Sequence, residues 1–418
     1  MAERSITLNG IAYGWPARPV AVVCIDGGDP AYLDDAVGRG IVPHIARFMR
    51  DGFATVAEGV VPSFTCPNNV SIVTGAPPSV HGISGNFFLT DSGEALPMTG
   101  PDLLRCRTLF DLYTRAGARV AAITAKDKLR QQLGAGMIFA GGSVCFSAQC
   151  ADCCTTTENG IADALGLVGR GVPDMYSDDL SLFVLDAGIA LLERGPKPEL
   201  LYLSLTDFIQ HAHAPGTPVA DKFYRDMDAR FGRLEALGCL VALTADHGMN
   251  DKSDAAGTPR VIWLQDELDR RFGAGATRVI CPITDAFVAH HGALGGFVRV
   301  YCNGVATAEA VRGFAAGLSG VELALTRAET AARFDLPADR EGDVAVIGDK
   351  DTVIGAGRAD HDLSGLAGHR LRTHGAVSER QVPFILSRPL KPDYAARAAR
   401  GTIASYRIFD YAINGTVA

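Results

Sequence analysis

Apolar positions fall along this chain in two patterns. Val20-Ala21-Val22-Val23-Cys24-Ile25, Leu200-Leu201-Tyr202-Leu203-Ser204-Leu205 and Cys239-Leu240-Val241-Ala242-Leu243-Thr244 are nearly unbroken apolar runs, and Arg119 to Thr124 forms another. Runs of this length predict strands buried on both faces, as in parallel sheets. Between them the apolar residues recur at helical spacing. One such stretch carries Leu180, Leu182, Phe183, Leu185, Ile189, Leu191 and Leu192 and stops near Gly195-Pro196. The other runs from Val219 to Leu237, with Phe223, Met227, Phe231 and Leu234 on one face. Met137 to Ala140 predicts a further short strand, and the Gly-, Ser- and Thr-rich segment 141–176 reads as irregular. Val382 to Leu386 contains Pro383 and predicts a strand near a sheet edge.

Strands alternating with helices predict an α/β fold, a doubly wound, mostly parallel sheet flanked by helices. From about 255 to 368 the pattern changes. Short strand-like pieces (Arg278 to Cys281, Phe297 to Cys302, Asp343 to Ile347) alternate with alanine-rich helices such as Ala306 to Leu318. The expectation is a smaller α+β cap lobe over 255–368, inserted into a core formed by 1–254 and 369–418. At 418 residues the chain is long enough for both.

Composition narrows the function classes. The balance of 39 basic against 47 acidic residues argues against a nucleic-acid footprint. No apolar run approaches the roughly 20 residues needed to cross a bilayer, and the N-terminal residues carry no apolar signal core, so a cytoplasmic address is expected. The ten cysteines lack zinc-site spacing even at the Cys150, Cys153, Cys154 cluster, and a reduced pool is expected.

The chemistry gathers at the turns that follow the strands. Asp26 stands at the carboxyl end of the first buried run, where open α/β sheets place ligands. Asp207, with His211 and His213 behind it, follows another, and Asp246-His247-Gly248 follows a third. His374 lies in Thr373-His374-Gly375 as the chain returns to the core. Thr65 precedes Pro67 and the helix-like run Asn68 to Thr74, so it is expected at a helix N-terminus, where free amides favour an anion. Each residue alone has an ordinary explanation as a helix cap, a core histidine or a surface ion pair. Together, carboxylates and imidazoles without thiolates suit zinc or manganese, and there are enough of them for two ions. Two ions about 3.5–4 Å apart clamp displacements at phosphorus.

Asp26-Gly27, the stretch Pro62-x-x-Thr65-x-Pro67-Asn68-x-x-Ser71-x-Val73-Thr74-Gly75, and His81-Gly82-Ile83 with Asn86 resemble the alkaline phosphatase superfamily. Asp207-x-x-x-His211, Ala245-Asp246-His247-Gly248-Met249 and Thr373-His374-Gly375 complete the pattern in order. The likeness is to the nucleotide pyrophosphatase/phosphodiesterase branch and covers about 20–250 and 370–390. That resemblance implies one zinc held by Asp207, His211 and His374, and another held by Asp26, Asp246, His247 and the Thr65 oxygen. Thr65 would be the nucleophile, forming a phospho-threonine, and Asn86 would hydrogen-bond a phosphoryl oxygen.

Within that branch the chain resembles the phosphonoacetate hydrolases, which split a carbon–phosphorus bond to release acetate and phosphate. Asn86-Phe87-Phe88 and the pair Lys126 and Lys128, placed by that family beside the substrate carboxylate, carry the likeness. Lysines two apart on a strand or extended loop point the same way and can reach one anion. His213 is a further substrate-pocket candidate. Alkaline phosphatases proper have serine where Thr65 stands. A phosphodiesterase or nucleotide pyrophosphatase would use the same metals, and a non-catalytic metal- and phosphate-binding module would have lost a nucleophile or ligand. The expected partner is a small phosphonate, with no nucleic acid and no membrane. A homodimer stays open.

Overall fold

Alternation within the buried strands divides the interior in two. Ala21, Val23, Leu201, Leu203, Val241 and Leu243 pack into one hydrophobic cluster, and Val20, Val22, Cys24, Leu200, Tyr202, Leu240 and Ala242 into another on the opposite face of the sheet. This is the period of two that a strand imposes, with both faces covered. The computed structural model describes residues 4–90, 93–283, 292–366 and 369–417.

The central sheet has seven strands in the order Phe53–Glu58, Gln381–Leu386, Leu240–Thr244, Val20–Cys24, Leu200–Ser204, Val120–Thr124, Val144–Ser147. The last five are mutually parallel, and the first two pair antiparallel. The helices Asp179–Arg194 and Pro218–Ala236 supply one covering layer, with Leu180, Phe183, Leu185, Phe223, Met227 and Phe231 in the first cluster. The α/β, mostly parallel fold expected from the strand pattern is therefore borne out.

Gln381–Leu386 lies near the sheet edge as expected, one strand in from Phe53–Glu58, and two other local expectations are corrected. Its ladder to Leu240–Thr244 runs only from Phe384 to Leu386, so the N–H that Pro383 lacks falls beyond that pairing. Met137 to Ala140 forms no strand. The sheet edge is instead Val144–Ser147, fully buried, within the segment that read as irregular. Among the described residues no helix is long and apolar enough to cross a membrane.

A second, antiparallel sheet orders Thr277–Ile280, Phe297–Cys302, Val344–Gly348 and Val321–Thr326. The helices Ala308–Ala315 and Arg327–Phe334 pack beside it. Its core includes Phe64 and Ala376, neighbours of Thr65 and His374. Phe64 meets Phe297 edge-on at 6.4 Å and His374 at 5.8 Å. The short ladder of Asn250–Asp251 against Arg372–Thr373 brings the returning chain back beside the turn that carries Asp246 and His247.

Candidate active site

Register places the site. Cys24 pairs with both Thr244 and Ser204, and Ser204 pairs with Thr124, so four parallel strands end level. Two residues beyond those ends stand Asp26, Asp246 and Lys126, and three beyond stands Asp207. Neighbouring strands lie about 4.8 Å apart, so these side chains leave the sheet in a row. His211 follows Asp207 by one helical turn in Phe208–Ala212, which puts both on one side. Thr65 is the first residue of the helix Thr65–Thr74. Gly375, with φ +117°, lets the His374 turn approach Phe64, whose ring would lie 2.4 Å from a Cβ there.

The carboxylates and imidazoles form two groups, Asp207 with His211 and His374, and Asp26 with Asp246 and His247. In each, one ligand atom per residue lies within 4.8 Å of the others. Every imidazole is turned the same way. Nδ1 of His211 lies 2.6 Å from the Arg372 carbonyl, that of His247 2.9 Å from the Gly248 carbonyl, and that of His374 2.6 Å from the Ser63 carbonyl. A nitrogen facing a carbonyl oxygen must carry a proton, so in the neutral imidazole the lone pair sits on Nε2. Those lone pairs face carboxylate oxygens: His211 to Asp207 at 2.9 Å, His247 to Asp26 at 3.3 Å, His374 to Asp207 at 3.7 Å. Lone pair against anion repels unless a proton or cation lies between. Asp26 Oδ1 is buried without a hydrogen-bond partner, as that arrangement requires. The donor set fits a pair of divalent ions such as zinc, with the histidines oriented by the carbonyls behind them.

Electrostatics make the same demand. Burial, then the nearby Asp207 and Asp246, pushes the Asp26 carboxyl well above its ordinary range. Burial and Asp207 push Asp246 up to about 7. Burial would raise Asp207 too, but His211, Lys126 and His374 outweigh it and hold that carboxyl well below its usual value. Burial and the neighbouring His247 and His211 drive His374 well below 6.5. Without a cation the site cannot keep all three carboxylates ionised.

A cavity of about 360 Å³ opens onto these groups, lined by Asp26, Thr65, Asn86, Lys126, Lys128, Asp207, His211 and His374, with apolar walls from Phe87, Leu129 and Met175. Thr65 Oγ1 lies 3.4 Å from His247 Nε2. Lys126 caps the helix Asp127–Leu133 and Lys128 stands in its first turn. The pair is therefore carried by a helix start rather than by a strand or extended loop, yet both residues reach the cavity. His213 is not among the lining residues. It closes the Phe208–Ala212 helix, and its carbonyl accepts from the Tyr32 hydroxyl at 2.6 Å.

The family model for type I phosphodiesterase / nucleotide pyrophosphatase matches residues 20–376. The chain belongs to that family. Within it the chain is 42% identical to the phosphonoacetate hydrolase of Sinorhizobium meliloti 1021. Structures of that protein with phosphonoformate and with phosphonoacetate each superpose over 100% of both chains with a TM-score of 0.94. A segment of 32 residues, 7% of this chain and 44% of the relative, is 62% identical to the phosphonoacetate hydrolase of Penicillium oxalicum. An uncharacterized pyrophosphatase/phosphodiesterase of Schizosaccharomyces pombe is 26% identical over 299 residues, which are 66% of this chain and 51% of the relative. The chain thus spans about half the length of the curated relatives it matches. Murine ectonucleotide pyrophosphatase/phosphodiesterase 5 shares the fold, at 17% identity and a TM-score of 0.60 over 88% of this chain and 87% of that one. The likeness to phosphonoacetate hydrolases read from the motifs is borne out.

Two supports of this phosphodiesterase-family site escaped the motif reading. Asn69 Nδ2 donates to Asp246 Oδ2 at 3.1 Å, while its Oδ1 accepts from Tyr202 at 2.6 Å and Ser204 at 2.9 Å. An asparagine one turn after Thr65 on the same helix face, at a position where it is a poor helix former, was the available signal. Arg372 holds His211 through its carbonyl and the Gln210 carbonyl through its Nε, at 2.9 Å. Its partners are more than 160 positions away, and no local pattern betrays them.

Proposed function

We propose that this protein is a zinc-dependent hydrolase that cleaves the carbon–phosphorus bond of phosphonoacetate, releasing acetate and phosphate through a phospho-threonine on Thr65. The observation that carries this reading is the joint placement of Thr65, Asp207, His211, His374, Asp26 and two lysines on one cavity, with Asp246 and His247 grouped beside Asp26. The whole-chain likeness to a phosphonoacetate hydrolase supports it.

Two zinc ions held by Asp207, His211 and His374 and by Asp26, Asp246, His247 and the Thr65 oxygen would lower the Thr65 pKa and neutralise charge on the phosphoryl group; manganese would suit the same donors. The Thr65 oxygen, at a helix N-terminus, attacks phosphorus after its proton has passed to solvent. As the new P–O bond forms the P–C bond breaks, and its electron pair stays on carbon. That carbon adjoins the carboxylate, so the charge spreads over an enediolate-like group facing Lys126 and Lys128. A proton from water completes acetate. Water then attacks the phospho-threonine, releasing phosphate and restoring the Thr65 hydroxyl. Asn86 Nδ2 donates to a phosphoryl oxygen. Its present contact, 3.5 Å to the Ile283 carbonyl, is too long to hold it back.

A nucleotide diester carries no carboxylate for Lys126 and Lys128. A non-catalytic binding module would have no use for a nucleophile, and Thr65 is present with all six ligand residues. Phosphate release from phosphonoacetate and from a nucleotide diester, assayed side by side after chelation and zinc repletion, tests the reading. Faster cleavage of the diester would move the protein to its pyrophosphatase relatives.

A further inference from the structure

Arg299 is fully buried and stands outside the cavity. It lies on Phe297–Cys302 in the second sheet, and its guanidinium forks onto Glu341, with Nε to Oε2 at 2.8 Å and Nη2 to Oε1 at 2.6 Å. Glu341, only 3% exposed, has no solvent to turn to. The remaining donors reach residues outside the second sheet. Nη2 donates to the Ser84 carbonyl at 2.7 Å and to the Ser84 hydroxyl oxygen at 3.1 Å, and Nη1 donates to the Phe87 carbonyl at 3.2 Å. Ser84 and Phe87 bracket Asn86. The fork can approach because residue 85 is glycine: a Cβ there would lie 3.0 Å from Nη1 and 3.0 Å from Pro282 Cβ.

Asn86 has a firmly held backbone and a loosely held side chain. Its N–H donates to the Pro282 carbonyl at 2.9 Å, and its carbonyl accepts from Met98 at 2.7 Å. Its Oδ1 is buried without a partner. The direction of the side chain is therefore set by the backbone on either side, which Arg299 clamps. Bidentate pairing with Glu341 fixes the plane of the guanidinium and hence the aim of the other donors. Burial alone would favour loss of the arginine's charge, and Glu341 outweighs it.

We propose that Arg299, oriented by Glu341, is a positioning residue that aims the Asn86 amide at the phosphoryl group, so that the second sheet sets the geometry of the catalytic cavity. This rests on the reading of Asn86 as a phosphoryl ligand. A buried ion pair that served only stability would act on the fold and not through Asn86.

A double-mutant cycle separates the two. Arg299→Lys keeps the charge but cannot grip Glu341, Ser84 and Phe87 at once. Glu341→Gln keeps the shape and weakens the orientation, and it carries the cycle if Arg299→Lys does not fold. Each is made in the wild type and in Asn86→Ala, and kcat and KM are measured on phosphonoacetate and on an aryl phosphate ester, with inhibition by orthovanadate as a second readout. The expected result is a fall in kcat of roughly ten- to a hundredfold with little change in KM, and weaker vanadate inhibition in the same variants. In the Asn86→Ala background the further loss should be less than about twofold, because the group being aimed is gone. The same fold-loss in both backgrounds, or wild-type kcat in Arg299→Lys, overturns the inference. If Asn86→Ala itself leaves kcat and vanadate inhibition unchanged, the assignment of Asn86 as a phosphoryl ligand fails, and the positioning role falls with it. Turnover of the aryl ester without phosphonoacetate would overturn the proposed substrate while leaving this cycle readable.

Discussion

The imidazole rings of His247 and His374 lie stacked, 3.5 Å between centroids and 8° from parallel. One belongs to each ligand group, so the two groups share a wall and form a single site. Each ring gives its Nδ1 proton to a backbone carbonyl, Gly248 or Ser63, and keeps its Nε2 lone pair for the interior. The site is thus built for cations rather than for protons.

That design fixes how stability should depend on pH. In the cation-free protein Asp246 is raised from its ordinary 3.8 to about 7. A carboxyl raised on folding contributes stability that is fully present below 3.8 and is lost as pH rises through about 7. His374, depressed below 6.5, works in the opposite sense: its contribution is present above 6.5 and is lost as pH falls below it. Bound zinc relieves the carboxylate cost and needs neutral imidazoles. The rise in Tm on adding zinc should therefore be larger near pH 8 than near pH 5. Scanning calorimetry with and without zinc checks this, and a rise that is equal or larger on the acid side would count against it.

Asn69 should matter to the metal more than to the chemistry. Asn69→Leu removes a donor to Asp246 and orphans the Tyr202 and Ser204 hydroxyls. The expected cost is about 1–3 kcal/mol of stability and a ten- to hundredfold loss of zinc affinity. Denaturant unfolding of the cation-free protein measures the first, and competition with a chelator measures the second. Unchanged zinc affinity would reduce Asn69 to a packing residue.

The buried strands and the residues at their ends were legible because both signals are local. A strand covered on two faces is an unbroken apolar run, and the candidate ligands Asp26, Asp207 and Asp246 follow such runs within three residues. Val144–Ser147 was hidden because it is only four residues long and follows the glycine pair Gly141-Gly142. Long-range polar contacts left no trace. Arg372 acts on residues some 160 positions away, and Arg299 on a loop more than 200 positions away. Lys126 and Lys128 reached the cavity by a route the spacing did not predict, at the start of a helix.

On the proposed reading, those lysines carry the choice of substrate. If they meet the substrate carboxylate, each charge-assisted bond contributes on the order of 1.5–3 kcal/mol. Lys128→Ala should lower kcat/KM for phosphonoacetate by roughly ten- to a hundredfold. Hydrolysis of an aryl phosphate ester without a carboxylate should barely change. Equal damage to both substrates would indicate a disturbed fold or metal site, and no damage to either would remove the lysine from the substrate pocket.

The most direct test compares wild type with Thr65→Ala on phosphonoacetate, following acetate and phosphate together with the zinc content of each protein. The wild type should release the two products in equal amounts. Thr65→Ala should lose turnover by at least about a thousandfold while keeping nearly all its zinc, since six other ligand residues remain. Near-wild-type release of acetate and phosphate by zinc-loaded Thr65→Ala would contradict the account at its centre.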